Sequence, residues 1–214
     1  MQLFYFLLMV ITVAAACNGA ETSSAMDSTA ALEAAPTITP KDTATTPVVQ
    51  GNQQKLALTT EAIQLVDSQT GSTKEIAFGI SFDQLVPIVT RVLNSEPANV
   101  GVNAECGAGP LKMASWSNGL TLVFQQKQRD IGDWLFAGWF AGKPIANTEK
   151  PITMAGIGVG STLADLESTY VTTVTTSTLG QEFAVKNGFF GLLSGPGKDA
   201  MITDMWSGVS CNFR

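Results

Sequence analysis

Three glycines at alternate positions, Gly156, Gly158 and Gly160, stand directly before a helix-type segment in AGIGVGSTLADLESTY (residues 155–170). Glycines at the start of a helix can bring backbone N–H groups onto a phosphate, so the stretch suggests a nucleotide loop. The spacing is G-x-G-x-G-S, which departs from G-x-G-x-x-G, and no βαβ unit with a downstream acidic residue follows. SGPGKDA (194–200) imitates a second kind of phosphate loop. Leu192 stands where its first glycine belongs, and Asp199 where Ser or Thr would hold magnesium. It reads as a connection between strands, and no cofactor is expected.

Other chemistry is equally thin. The chain contains no histidine, which removes Ser-His-Asp and Cys-His catalysis together with the commonest zinc ligand. Cys106 in ECGAGP has no neighbour in sequence that would activate its thiolate. Asp130 and Asp133 in RDIGD form a pair of carboxylates in a turn, too few oxygens for a calcium loop, so no metal site is expected.

The elements that must position any site begin after a targeting segment. Leu3 to Ala16 is an apolar run of signal-peptide length, too short to span a bilayer, so residues 1–16 read as a signal peptide. It ends in Ala14-Ala15-Ala16-Cys17, small residues ahead of a cysteine, which resembles the lipobox of bacterial lipoproteins. Two readings stand: a lipidated Cys17, which is preferred, or an ordinary secretory cut that leaves a free thiol. Asn18 is not the Asp that commonly retains lipoproteins at the inner membrane, so an outer-membrane anchor facing the periplasm is favoured.

Residues 17–55 are rich in Ala, Thr, Ser and Pro and lack an aromatic residue, so they read as a disordered tether with a span of roughly 35 Å. With Cys17 assigned to lipid, Cys106 and Cys211 remain as an even pair in an oxidising compartment, and a disulfide is expected between them. A formal charge of −6 argues against nucleic acid or anionic lipid as a direct partner.

From residue 56 to 214 the chain has the texture of a folded domain. AIQLVDS, QTGS and KEIAFG read as an N-terminal hairpin. SFDQLVPIVTRVL has helical periodicity, with Ser81 and Gln84 as a capping box and Pro87 as a kink. KMASWS and LTLVFQQ flank Asn118-Gly119, a hairpin turn, and DWLFAGWFAG supplies a third strand. The order then recurs: Gly79, Ser81 and Leu85 align with Gly160, Thr162 and Leu166, and Asn187-Gly188 aligns with Asn118-Gly119. The pattern predicts an α+β fold of two tandem helix-plus-three-strand repeats, at about 56–147 and 148–214. Together they would form one antiparallel sheet with both helices on one face.

These repeated Gly-x-Ser/Thr helix starts resemble the tandem-repeat fold of secreted β-lactamase inhibitor proteins. In single-unit form they resemble the small outer-membrane lipoprotein of the barrel-assembly machinery. Over residues 56–214 the phrases ECGAGP, SNGLTLVF, AGIGVGST, STLGQEF and SGVSCNFR resemble a group of uncharacterised proteobacterial exported proteins. Some members of that group carry a dehydrogenase label. The residues here do not support it: a nucleotide fingerprint and a histidine base are both missing.

Trp116, Trp134, Trp139 and Trp206, with Phe140, are the side chains best suited to a binding surface on the sheet face away from the helices. Strand alternation, without a bulge, puts Trp134 and Phe136 on one face and Leu135 and Trp139 on the other. The expected function is a non-catalytic binding or scaffolding module with an envelope protein as partner. The alternatives are an inhibitor of an envelope enzyme and, remotely, an enzyme relying on acidic residues alone.

Overall fold

The computed structural model describes residues 54–128, 131–145 and 148–211. All of them fall in one unit, Val48–Arg214. The signal segment, Cys17, Asp130 and nearly all of the expected tether lie outside the described residues. Gln54 and Lys55 already belong to the first strand, two residues before the expected start of the domain.

The strands are β1 (Gln54–Leu58), β2 (Ala62–Asp67), β3 (Thr73–Ala77), β4 (Asn99–Asn103), β5 (Leu111–Ser115), β6 (Leu120–Gln128) and β7 (Ile131–Ala141). They continue with β8 (Ile152–Thr153), β9 (Thr172–Ser177), β10 (Gly180–Val185), β11 (Phe190–Leu193) and β12 (Ile202–Gly208). Helix α1 (Phe82–Leu93) lies between β3 and β4, and α2 (Leu163–Thr169) between β8 and β9.

These elements overturn the expected α+β layout of helix-plus-three-strand repeats. The described chain is mostly β, in two sheets. A four-stranded sheet has the order β3-β2-β1-β8, with β8 parallel to β1, and an eight-stranded sheet has the order β4-β5-β6-β7-β12-β11-β10-β9. The physical reason lies in short β-type segments that give no core signal, the two valines of NVGVN being exposed and TTVTTS having one apolar residue. NVGVN and TTVTTS become β4 and β9, the two outer strands of the large sheet, because Val and Thr suit a pleated surface whatever their burial. Pro151-Ile152-Thr153 joins the N-terminal strands instead of the large sheet.

Helix α1 buries Leu85, Val89 and Val92 and ends at Asn94, which takes the left-handed conformation at φ 48°. Pro87 sits inside α1 on its exposed side. Ser81 occupies the N-cap position, but its hydroxyl donates to the Gln84 side chain at 3.1 Å and accepts no backbone N–H. The expected Ser81/Gln84 capping box is therefore not formed.

At α2 the box is complete. Thr162 Oγ1 accepts from Asp165 N at 3.1 Å, and Asp165 Oδ2 accepts from Thr162 N at 2.9 Å. Gly79 and Gly160 have φ of 102° and 96°, a region glycine occupies without strain, and each donates its N–H to a strand carbonyl, Phe136 and Ile202 respectively.

One apolar core joins the elements. Leu58 and Ile63 of the small sheet, Leu85 of α1, Leu166 of α2, and Leu120, Leu122, Phe124 and Trp139 of the large sheet are fully buried within it. Each such aliphatic side chain contributes about 1.5–3 kcal/mol through removal from water. No helix among the described residues is long and apolar enough to cross a membrane.

Candidate functional site

The four tryptophans do not form one surface. Trp116 and Trp139 belong to the main core, where their indole N–H groups donate to the carbonyls of Ser95 (2.9 Å) and Thr59 (2.6 Å). Trp134 is half-buried against the same core. The alternation expected along β7 fails because Val123 pairs with Gly138 while Phe124 pairs with Phe136, leaving Ala137 as a bulge. The extra residue turns Phe136 and Trp139 to the same side, and both are buried.

Trp206 lies elsewhere. In register across the large sheet, Phe140 pairs with Trp206 and Trp206 with Phe190. The neighbouring residues Ala141 and Met205 belong to the core, so the aromatic row occupies the opposite face. Phe190 stacks on Trp206 with ring centroids 6.5 Å apart and an interplanar angle of 22°. Trp206 is 4% exposed and Phe190 40%. A recess beside Phe190 is lined by Thr175, Ser177, Glu182 and Ala184 of β9 and β10. Phe140 is among the aromatic residues the sequence offers for such a surface, whereas Phe190 was missed. The available signal was the Phe189-Phe190 pair, of which strand alternation can bury only one.

A second concavity, of about 340 Å³, opens where β1 and β8, the C-terminal end of α1 and the β5–β6 turn meet. Its apolar wall includes Leu56, Val92, Leu93, Trp116, Ile152 and Met154. At the rim Lys55 Nζ pairs with Glu149 Oε1 at 2.9 Å, both side chains being largely exposed. Such a pair contributes about 0–1 kcal/mol, so it opens easily. Asn118 Nδ2 donates to the Glu149 carbonyl at 3.4 Å and Asn118 Oδ1 accepts from Leu120 N at 3.1 Å, which ties the β5–β6 turn to the rim. Lys150 Nζ reaches the Val159 carbonyl at 3.4 Å. Glu149 is the single carboxylate in this lining, so paired-acid chemistry has no place there.

Cys106 and Cys211 are free thiols that share a small apolar cluster with Leu111 and Val123. Asn103 Nδ2 also approaches Cys211 Sγ, at 3.7 Å. Burial, reinforced by the adjacent Cys106 thiol, pushes the Cys211 pKa above its ordinary value.

The remaining candidates have structural tasks. In SGPGKDA, Lys198 pairs with Glu167 of α2, and its carbonyl accepts from Ala164 N, so the loop braces the helix. Gly158 bridges to Ile152, and Gly156 closes a turn through its N–H to the Thr153 carbonyl. No group of three or more His, Cys, Asp or Glu side chains placed to hold a metal ion occurs among the described residues. No protein-family model, curated protein or solved structure matches the chain.

Proposed function

We propose that this chain is a membrane-anchored periplasmic lipoprotein, attached through Cys17 and favouring the outer membrane, that acts as a non-catalytic binding or envelope-scaffolding module. The anchor reading is supported by Ala14-Ala15-Ala16-Cys17 after the apolar run. The observation that carries the binding reading is Phe190, a large exposed aromatic held flat on the buried Trp206, on the sheet face opposite the core. An aromatic with a rigid backing loses little side-chain freedom on association, which suits it as an anchor for a protein partner. No activated nucleophile or convergent pair of acids accompanies it in the adjacent recess.

The test replaces Phe190, and in a second variant the exposed Lys74 of β3, with a photo-cross-linking residue in intact cells. A discrete adduct from position 190 that position 74 does not give is expected. Identical patterns from both positions, or no adduct from either, would remove the proposal. The anchor is tested separately by labelling with a radioactive fatty acid, which a Cys17→Ser variant should not incorporate.

A further inference from the structure

The cavity beside β1 lies apart from the aromatic row and has its own chemistry. We infer that it is a binding site for a small amphiphile with a single acyl-type chain and an anionic head. At about 340 Å³ it falls near the lower end of the roughly 300–1,000 Å³ usual for small-molecule sites. Leu56, Val92, Leu93 and Trp116 give it an apolar interior, while Ile152 and Met154, both exposed large apolar residues, form an apolar lip. Exposed apolar side chains at the mouth of a concavity are the pattern left by a ligand that covers them.

The rim selects the head group. Lys55 and Glu149 neutralise one another, whereas Lys150 has no carboxylate within ion-pair distance among the described residues and meets only the Val159 carbonyl. Among the lining residues Lys55, Glu149 and Lys150 the charges sum to one excess positive on a chain whose net charge is −6. The Lys150 ammonium, which rests on the Val159 carbonyl outside the lining, must swing over to meet a bound head. A carboxylate or phosphate head beside Lys150 gains a charge-assisted hydrogen bond, while a cationic head meets repulsion. A concave site of this size fits a dispersed molecule and not the flat surface of a bilayer.

The test is calorimetric titration of the purified chain with decanoate, decanol and decyltrimethylammonium, with the Trp116 indole N–H followed by NMR. Decanoate should bind tightest and shift the Trp116 signal. Lys150→Glu should weaken decanoate about tenfold or more and leave decanol nearly unchanged. Met154→Trp, at an exposed position that folding tolerates, should fill the mouth and weaken all three. Equal affinity for the three head groups, decanoate binding that survives Met154→Trp, or no binding at all would overturn the inference. Vesicles containing phosphatidylglycerol should fail to shift the Trp116 signal. A shift from vesicles equal to that from decanoate would also overturn it.

Discussion

Cys211 lies against Cys106 in the apolar cluster formed with Leu111 and Val123, two thiols from distant parts of the chain brought together by the C-terminal end of β12. Mild oxidation should therefore join them within one molecule. By closing a loop of about 100 residues, the bond should raise stability by up to about 4–5 kcal/mol in the chain-entropy picture. Urea titrations of the oxidised and reduced forms measure the difference. A product linked between molecules, or an oxidised form less stable than the reduced one, would count against the pairing.

The reduced form should also show a dependence on alkaline pH. Burial, then the neighbouring Cys106 thiol, raises the Cys211 pKa above the ordinary 9.0, so folding favours the protonated thiol. That contribution is fully present below the unfolded-state pKa and is lost as pH rises through the folded value. Reduced protein should lose stability over that window, and Cys211→Ala should not. The comparison needs only urea midpoints at a series of pH values.

How far these features could be read from the chain varies with their physical basis. Asn118-Gly119 marks a turn by itself, and β5 and β6 pair around it. The loop is Ser117-Asn118-Gly119, closed by Gly119 N on the Trp116 carbonyl with Gly119 at φ 93°, and not the two-residue turn expected. The outer strands β4 and β9 escaped because Val100 and Val102 of β4 and most of the threonines of β9 face solvent, so neither segment marks a side of the core. The bulge at Ala137 inverts the face of everything after it, a one-residue event whose cue in DWLFAGWFAG is the isolated Gly138 beside it, where the backbone of β12 approaches closely. The rim pair of the cavity joins residues 94 apart in sequence, a contact that only the parallel pairing of β8 with β1 creates.

The two helix starts should respond differently to the same change. Thr162→Ala removes a hydroxyl that accepts the Asp165 N–H, at a cost of about 1 kcal/mol. Ser81→Ala removes a contact only with an exposed Gln84 side chain and should fall within about 0.5 kcal/mol of the parent. The Thr162 N–H, then its hydroxyl, holds the Asp165 carboxyl below its usual range. Its contribution is therefore present above the unfolded-state pKa and lost as pH falls through the folded value. Asp165→Asn should flatten that acid limb in urea titrations.

Gly191 of β11 sets the depth of the core beneath the large sheet. A Cβ there would come within 3.0 Å of both the Asp204 carbonyl and the Phe183 ring, neither of which can move freely. Gly191→Ala should cost about 1–3 kcal/mol as an overpacked site. Gly195→Ala meets open space and should change stability by no more than about 0.5 kcal/mol. Thermal unfolding of the two variants side by side provides the check.

Trp139 ties the large sheet to the small one: its indole N–H donates to the Thr59 carbonyl between β1 and β2 at 2.6 Å, beside the Ser207 hydroxyl of β12, which donates to the Thr60 carbonyl. Replacing Trp139 with phenylalanine leaves the partly buried Thr59 carbonyl without its donor and opens a small void, for a combined loss of about 2–4 kcal/mol. Trp116 makes the corresponding bond to the Ser95 carbonyl at 2.9 Å, but Ser95 is exposed and water can replace the lost donor. Trp116→Phe should therefore cost only about 1–2 kcal/mol, since most of the ring volume is kept. Urea unfolding of both variants ranks them. Equal costs, or the reverse order, would mean that the Thr59 contact adds nothing to the Ser207–Thr60 bond and the apolar packing that also join the two sheets.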